Sequence, residues 1–312
     1  MQYQRAYNDL LNWCRLQRRS VGTVTELDRA LAGYLDHLFF EGWNRDQGEK
    51  TLAAVLFFHP SQGLKRPGAL EGSRAALKGF KKMAPGRTRK PLPKEAVFAI
   101  IGAGVFLGLL DFSLGLLVAW DAYLRLPSDL IGMVGGSLVA PGRGSRIKRW
   151  AVLLFPEELP NRSKTGHFDE GMVLESDAVQ SVGFALKKLK SQSVADGPLW
   201  PFSGPKFRRD FEEAASLAGL EDVHPYQVRH GAASHDALYK VREFGAVQER
   251  LRHLSESSTR RYRKGTRYLA ECEKLPPEVR KFGEWVMSSQ LEAAVRSNPD
   301  RAIWGLLQRP GF

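Results

Sequence analysis

Tyr262 lies in a strongly basic stretch of the chain, RRYRKGTR, in which Arg260, Arg261 and Arg263 are its close neighbours. A phenol has a pKa of about 10, so it needs cationic neighbours or a base before it can act as a nucleophile near neutral pH. A guanidinium, in turn, offers paired N–H donors to the charged oxygens of a phosphoryl group. A tyrosine combined with arginines is therefore suited to phosphoryl transfer in which no metal ion is required.

The length and composition indicate how much structure is available to position such groups. The chain has 312 residues, of which 43% are hydrophobic and 26% are charged, as in ordinary globular proteins. Two domains are expected at this length. Residues 1–85 are predicted to form a helical domain, because residues 25–42 (TELDRALAGYLDHLFFEG) place apolar side chains at helical spacing and end at a glycine.

A basic segment follows the first predicted domain. Residues 74–94 contain eight lysines or arginines and no acidic residue, and the proline- and glycine-rich part at 86–94 is predicted to be a linker. The formal net charge of +12 makes nucleic acid the first candidate partner, and an anionic membrane surface the second. The segment is interpreted either as a solvated connector or as a DNA-contacting strand, with candidate contacts Lys78, Lys81, Lys82, Arg87, Arg89 and Lys90.

The second predicted domain, residues 95–312, begins with an apolar stretch that is as long as a membrane-spanning helix. Residues 96–120 (AVFAIIGAGVFLGLLDFSLGLLVAW) contain a single charge, Asp111, near the middle, together with four glycines. This pattern favours two short buried helices that meet at a break. The N-terminal residues lack an apolar signal core, so we expect an intracellular protein, with no preference between nucleus and cytoplasm.

The remainder of the second domain predicts helices around a small sheet. Short β segments on either side of the polar loop PEELPNRSKTGHFDE suggest a hairpin. Helical patterns then return, and the last, from Pro276, could pack within the chain or on a neighbouring copy. The fold class expected is mainly α (α+β), with a small antiparallel sheet. Cys14 and Cys272 are far apart and form no CxxC pair, so neither a disulfide framework nor a zinc site is indicated.

The arrangement of these motifs resembles the catalytic core of the tyrosine recombinases, the phage-integrase family. In that family a helix ending in AGL leads to an H-x-x-R-H helix, then to an L-G-H turn, and nine residues later to the nucleophilic tyrosine. Here Arg229 and His230 match the end of the helix motif, His253 matches the turn histidine, and Tyr262 lies nine positions beyond it. Upstream, WDAYLRLPSDLIGM resembles the segment with the first catalytic arginine, Arg125.

The resemblance implies a role for each matched residue. Arg125 and Arg229 would bind the phosphate, His253 would donate a hydrogen bond to it, and Tyr262 would form a 3′-phosphotyrosyl bond. SKTGHFDEGMVL resembles the hairpin with the catalytic lysine, so Lys164 would protonate the departing 5′ oxygen. The implied function is site-specific recombination or integration, with double-stranded DNA as partner, a homotetramer on that DNA, and neither metal nor cofactor. The first domain would be the family's core-binding domain.

Three positions depart from the family pattern. Tyr226 replaces the first histidine of H-x-x-R and is a candidate site residue in its place, although a phenol is a poor base at neutral pH. The acidic residue expected three positions after Arg125 is one position late, at Asp129, as if Leu126 were inserted. Arg252 occupies the position of the glycine before the turn histidine, so this turn is expected to be built differently.

Several alternatives stay open at this stage. Tyr268 is a rival nucleophile if the spacing from His253 to Tyr262 is coincidental. The chain could be a catalytically weakened or inactive DNA-binding protein derived from a recombinase, or a type IB topoisomerase-like enzyme. A basic protein of the membrane surface is a further candidate, although no membrane partner is expected.

Overall fold

The computed structural model describes residues 2–60, 63–86, 89–142, 148–158, 168–262 and 264–297. It divides into two compact units, Met1–Thr88 and Arg89–Phe312. Two of the predicted site residues, Lys164 and Arg87, lie outside the described residues.

The first unit is helical where it is described. Its helices are α1 (Gln2–Leu16), α2 (Val24–Phe40), α3 (Arg45–Phe58) and α4 (Glu71–Met83). The amphipathic helix predicted within residues 25–42 is α2, and its apolar stripe, which includes Leu27, Leu31 and Leu35, is buried in the core of this unit. Helix α2 begins at a capping box, in which Thr23 and Glu26 satisfy backbone N–H groups that the first turn leaves without partners.

The apolar stretch at the start of the second unit forms two buried helices, as predicted. These are α5 (Lys94–Phe106) and α6 (Leu110–Asp121), and the break between them contains Gly108 at a φ of 73°, in the left-handed region. None of the helices in the described part of the chain is long and apolar enough to cross a membrane.

Along the chain, these two helices are followed by the strands of a three-stranded antiparallel sheet. Its strands are β1 (Leu138–Val139), β2 (Ala151–Leu154) and β3 (Glu170–Val173), in the order β1-β2-β3, with Val152 paired to Met172. The predicted small antiparallel sheet is therefore confirmed.

Within the described residues, the regular elements after β3 are helices. The helices are α7 (Asp177–Ser181), α8 (Gly183–Gln192), α9 (Gly204–Leu217), α10 (Tyr226–Leu238), α11 (Phe244–Arg250), α12 (Glu256–Arg260), α13 (Gly265–Glu273), α14 (Pro277–Trp285) and α15 (Leu291–Arg296). Helix α14 packs within the chain, because the rings of Phe282 and Phe106 stack with their centroids 5.8 Å apart. The sequence left packing within the chain and packing on another copy equally open for this segment.

The segment that precedes α5 packs against the helix that presents Arg229. Pro91, Leu92 and Pro93 are buried, and the backbone N–H of Leu92 donates to the carbonyl oxygen of Gln227. A Cβ atom at Gly231 would overlap the backbone of Leu92, so glycine is needed for this close approach. The part of the predicted linker from residue 91 onward thus belongs to the second unit and supports α10.

Candidate functional site

Arg125 lies at the start of a π-helical turn, Leu126–Leu130, that also contains Asp129. The backbone N–H of Leu130 donates to the carbonyl oxygen of Arg125, five residues earlier, which defines the wide turn. Asp129 accepts a 2.8 Å hydrogen bond from the backbone N–H of Arg125, and its Oδ1 is 3.7 Å from Nη1 of the same residue. The apparent insertion of Leu126 is accommodated by the wide turn, and the displaced carboxylate still reaches Arg125.

Arg229 projects from helix α10 into the interior of the second unit and is only 1% exposed. Its Nη1 donates to the carbonyl oxygen of Tyr123 and lies 3.8 Å from Oδ2 of Asp129, and its Nη2 donates to the carbonyl oxygen of Leu251 at 2.6 Å. Among the described residues, the buried Nε–H of Arg229 has no hydrogen-bond acceptor. A buried donor without an acceptor is costly, so an acceptor placed beside this group would stabilise it.

Arg252 brings a third guanidinium to the same carboxylate. Its Nη2 donates to Oδ2 of Asp129, and its side chain is buried. Asp129, which is 1% exposed, is thus surrounded by the guanidiniums of Arg125, Arg229 and Arg252. A buried carboxylate is stable in its charged form only when it is paired and hydrogen-bonded, and here both conditions are met.

Tyr262 lies beside this arginine cluster, after helix α12. Its ring stacks on that of His230, with centroids 4.2 Å apart and planes at 11°, and the ring of His253 is 5.0 Å away. Cζ of Arg229 is 5.6 Å from the ring centroid of Tyr262, and the Tyr226 and Tyr262 hydroxyls are 3.3 Å apart. Four of the six predicted catalytic residues therefore meet here, and Arg125 joins them through Asp129.

The position of Tyr262 follows from the helix that it packs against. Tyr226, Arg229 and His230 lie at positions i, i+3 and i+4 of α10, so they share one face of that helix. The hydroxyl of Ser234, one turn further along, donates to the carbonyl oxygen of Tyr262 at 2.6 Å. Side chains of α10 thus fix both the ring and the backbone of Tyr262.

The phenol of Tyr262 is protonated at neutral pH in this structure. Burial, and then the hydrogen bond with Tyr226, raise the pKa of Tyr262, whereas the charge of Arg229 opposes the rise. To act as a nucleophile, the hydroxyl would therefore have to lose its proton.

The two neighbouring imidazoles are neutral at the same pH. Burial and surrounding cations lower the pKa of His230 to about 3 and the pKa of His253 to about 4. Nδ1 of His253 is 3.2 Å from the hydroxyl oxygen of Thr259, which orients the ring. His253 can therefore act as a neutral hydrogen-bonding group, and the positive charge of the site comes from the arginines.

Tyr268, the rival nucleophile, has a structural contact instead. It is 1% exposed, and its hydroxyl accepts a 2.8 Å hydrogen bond from the backbone N–H of Lys94 at the start of α5. It thus supports a helix terminus.

Three of the predicted DNA contacts lie on helix α4 of the first unit. Lys78 and Lys82 are exposed, whereas Nζ of Lys81 is 2.9 Å from a carboxylate oxygen of Glu49. Lys81 is thus partly neutralised by an ion pair within its own unit.

Two further predicted DNA contacts lie at the start of the second unit. Arg89 and Lys90 are exposed, and Cζ of Arg89 lies 3.9 Å from the ring centroid of Tyr226. Lys264, which was not among the predicted residues, donates to the carbonyl oxygen of Arg89 at 2.6 Å. Its position two residues after Tyr262 is the sequence signal that could have suggested it.

In the sequence, Asp129 and Arg252 stand out only as departures from the pattern that the chain resembles. Their geometry makes them the centre of the cluster, since Asp129 contacts all three guanidiniums. The signal for Asp129 was the arginine four residues earlier, a spacing that allows an ion pair across one helical turn.

The chain is also similar in structure to known proteins. No family model and no curated protein matches the sequence. A crystal structure of a lambda integrase (75–356) dimer bound to a COC′ core site matches with a TM-score of 0.52 and 17% identity, over 83% of this chain and 87% of that one. A lambda integrase (residues 75–356) bound to DNA matches with a TM-score of 0.50 and 16% identity, over 86% and 91% of the two chains.

The chain therefore has the tyrosine-recombinase fold. The structures that it matches at these TM-scores are those of lambda integrase. The predicted fold class, mainly α with a small antiparallel sheet, is confirmed.

Replacing the central carboxylate tests the cluster. Asp129→Asn removes the buried charge that three guanidiniums share, so the free energy of unfolding should fall by about 3 kcal/mol. Urea unfolding measures this change. Asp177→Asn, at an exposed carboxylate 3.8 Å from Arg149, is the control and should leave the free energy nearly unchanged. Equal effects of the two substitutions would contradict the central role of Asp129.

The depressed histidine pKa values predict a loss of stability in acid. The unfolded state binds protons near pH 6.5, whereas folded His253 and His230 bind them only near 4 and 3. Their contribution is therefore complete above pH 6.5 and is lost as the pH falls toward 4 and below. His230→Phe keeps an aromatic ring against Tyr262 and should reduce this pH dependence by up to about 1.4 kcal/mol per pH unit.

Urea unfolding at a series of pH values between 7 and 4 measures the slope of the free energy of unfolding against pH. His224→Phe, at an exposed histidine two residues before α10, controls for the loss of a histidine as such. If His230→Phe has the slope of the unmodified protein, the assigned titration is wrong.

Proposed function

We propose that the chain is a site-specific DNA recombinase or integrase that cleaves and rejoins strands through a 3′-phosphotyrosyl intermediate. The observation that carries the proposal is the packing of the Tyr262 phenol against the buried Arg229, whose Nε–H has no acceptor among the described residues. The fold supports it, because the matched lambda integrase structures are complexes with DNA.

In the proposed reaction, the scissile phosphate lies between the arginines and the phenol. Arg125 and Arg229 bind its non-bridging oxygens, and His253 donates a hydrogen bond to one of them. The Tyr262 oxygen forms a bond to phosphorus, and the bond from phosphorus to the 5′ oxygen breaks. Lys164 protonates that oxygen, which leaves as a 5′ hydroxyl.

The proton of Tyr262 must leave as the new bond forms. The Tyr226 hydroxyl, 3.3 Å away, is positioned to accept a hydrogen bond from it and to relay the proton to solvent. Because the phosphotyrosyl bond conserves the energy of the phosphodiester, a 5′ hydroxyl of another strand can attack it and restore the DNA. The scheme uses no nucleotide cofactor and no metal ion.

Double-stranded DNA is the proposed partner, and a homotetramer on DNA is the proposed assembly. The net charge of +12 supports binding to a polyanion, as do the exposed side chains of Lys78, Lys82, Arg89 and Lys90. In this proposal residues 1–85 form the core-binding domain and residues 95–312 the catalytic domain. The protein acts where DNA is present inside the cell.

One observation favours a second candidate, a recombinase-derived DNA-binding protein without cleavage activity. Tyr226 stands where the family pattern has a histidine, and its hydrogen bond raises the pKa of the Tyr262 phenol. This contact opposes formation of the nucleophile. Both candidates bind DNA, so only a test of cleavage separates them.

Covalent trapping tests the nucleophile. We expect a labelled duplex library, randomised around a fixed nick, to yield a protein–DNA adduct on denaturing gels, because the short cleaved strand diffuses away. Tyr262→Phe should reduce the adduct by at least about 1000-fold, since it removes the attacking oxygen. Tyr268→Phe, which removes the hydroxyl that binds the Lys94 backbone, should keep forming the adduct.

The other outcomes are equally informative. An adduct that persists in Tyr262→Phe would show that the nucleophile is a different residue. Binding of the library without any adduct would favour the non-catalytic DNA-binding protein. Relaxation of any supercoiled plasmid, without a requirement for two sites, would favour the topoisomerase-like enzyme.

The salt dependence of DNA binding tests the predicted contacts on α4. Each phosphate contact that is lost should lower the slope of log Kd against log salt by about 0.9. The double variant Lys78→Ala/Lys82→Ala should therefore lower it by about 2. Lys81→Ala is the matched control and should change it less, because Lys81 is paired with Glu49. Fluorescence anisotropy at several salt concentrations gives the slopes, and equal slopes would exclude α4 from the interface.

A further inference from the structure

Arg252 has a backbone conformation that favours glycine. Its φ is 54°, in the left-handed region, and the resemblance to the recombinases expects a glycine at this position. A long side chain is disfavoured in that conformation and is retained where its contacts stabilise it. The contacts of Arg252 therefore indicate what an arginine contributes at a position where a glycine is expected.

The Arg252 side chain connects the arginine cluster to strand β3. Its Nη2 donates to Asp129, its Nε is 3.2 Å from Oε2 of Glu170, and its Nη1 is 3.4 Å from Sδ of Met172. Glu170 and Met172 both belong to β3. A planar guanidinium can contact two carboxylates from different segments at once, which the single ammonium group of a lysine does less well.

The backbone around Arg252 also positions site groups. The carbonyl oxygen of Leu251, the preceding residue, accepts from Nη2 of Arg229 at 2.6 Å. His253, the following residue, has its ring 5.0 Å from that of Tyr262. The turn at Arg252 thus determines where an acceptor for Arg229 and a ring beside the nucleophile lie.

The charges of the cluster depend on the same residue. Arg125, Arg229 and Arg252 contribute three positive charges, and Asp129 and Glu170 contribute two negative ones, so the net charge is +1. Burial lowers the pKa of Arg252 to about 10, and the side chain still carries its charge at neutral pH. One bound phosphodiester would neutralise the cluster, whereas a cluster without Arg252 would have no net charge to offer it.

We propose that Arg252 is a positioning residue that holds Asp129 against strand β3 and so sets the orientation of Arg125 and Arg229 toward the scissile phosphate. This inference rests on the proposed recombinase function. In this proposal Arg252 acts through Asp129, to which its Nη2 donates, and the phosphate is bound by Arg125 and Arg229.

Single-turnover cleavage of the nicked duplex library at saturating protein, with the Kd measured separately, tests this role. Arg252→Gly suits the backbone conformation and removes the guanidinium, and Arg252→Lys keeps the charge without the planar fork. Arg242→Lys is the matched control, because Arg242 is a partly buried arginine that pairs with Asp121, Glu175 and Asp236 and not with Asp129. Thermal unfolding of each variant measures the folded fraction at the assay temperature.

We expect Arg252→Gly to cleave about 10-fold to 100-fold more slowly, with a Kd within about threefold of the unmodified protein, and Arg252→Lys to be intermediate. Arg242→Lys should cleave at the unmodified rate, even where its melting temperature falls. A substrate with a neutral methylphosphonate at the scissile position needs less charge neutralisation, so the defect of Arg252→Gly should shrink on it.

Two results would overturn the inference while the proposed function stands. One is an Arg252→Gly variant that cleaves at the unmodified rate. The other is a defect of the same size on both substrates, which indicates a purely structural role. If Arg252→Gly is unfolded, the cleavage rates of Arg252→Lys and Arg242→Lys are compared instead. Equal rates for these two variants would reject the inference. Absence of any adduct with the unmodified protein would instead reject the proposed function, and the inference with it.

Discussion

The second unit is organised around one carboxylate buried among three guanidiniums. Asp129 draws together a π-helical turn, helix α10 and the turn after α11, because each contributes an arginine to it. In a low-dielectric interior, three cations without a shared anion would repel one another, and an isolated carboxylate would not stay ionised. The pairing therefore stabilises the site and determines the directions in which its guanidiniums point.

Next to this charged cluster lies a set of neutral aromatic side chains. The ring of Tyr262 stacks on that of His230 and lies 5.0 Å from that of His253, and both imidazoles are uncharged at neutral pH. The site thus separates two tasks, since the arginines provide positive charge and the rings provide a rigid, partly desolvated environment for the phenol. An anionic ligand that reaches both would meet fixed positive charge and a fixed phenol, as electrostatic preorganisation requires.

The departures from the family pattern were the positions where sequence reasoning failed to foresee the geometry. Asp129 was expected three residues after Arg125, and the one-residue shift suggested a displaced carboxylate, yet the wide π-helical turn returns it to Arg125. Arg252 suggested only an altered turn, and its side chain proved to reach two carboxylates. The first outcome is a local contact within one wide turn, whereas the second depends on Asp129 and Glu170, which lie more than 80 positions from Arg252 and which local spacing does not encode.

The sequence by itself determined the helices, the small sheet and the order and spacing of the residues suited to chemistry, because periodicity and capping are local properties. The tertiary structure decided which of those residues meet. It joined Arg125 to Arg229 across more than 100 positions, placed Tyr262 beside them, and assigned Tyr268 to a buried contact with Lys94. Such choices depend on burial and ion pairing between distant segments, which exist only once the chain has packed.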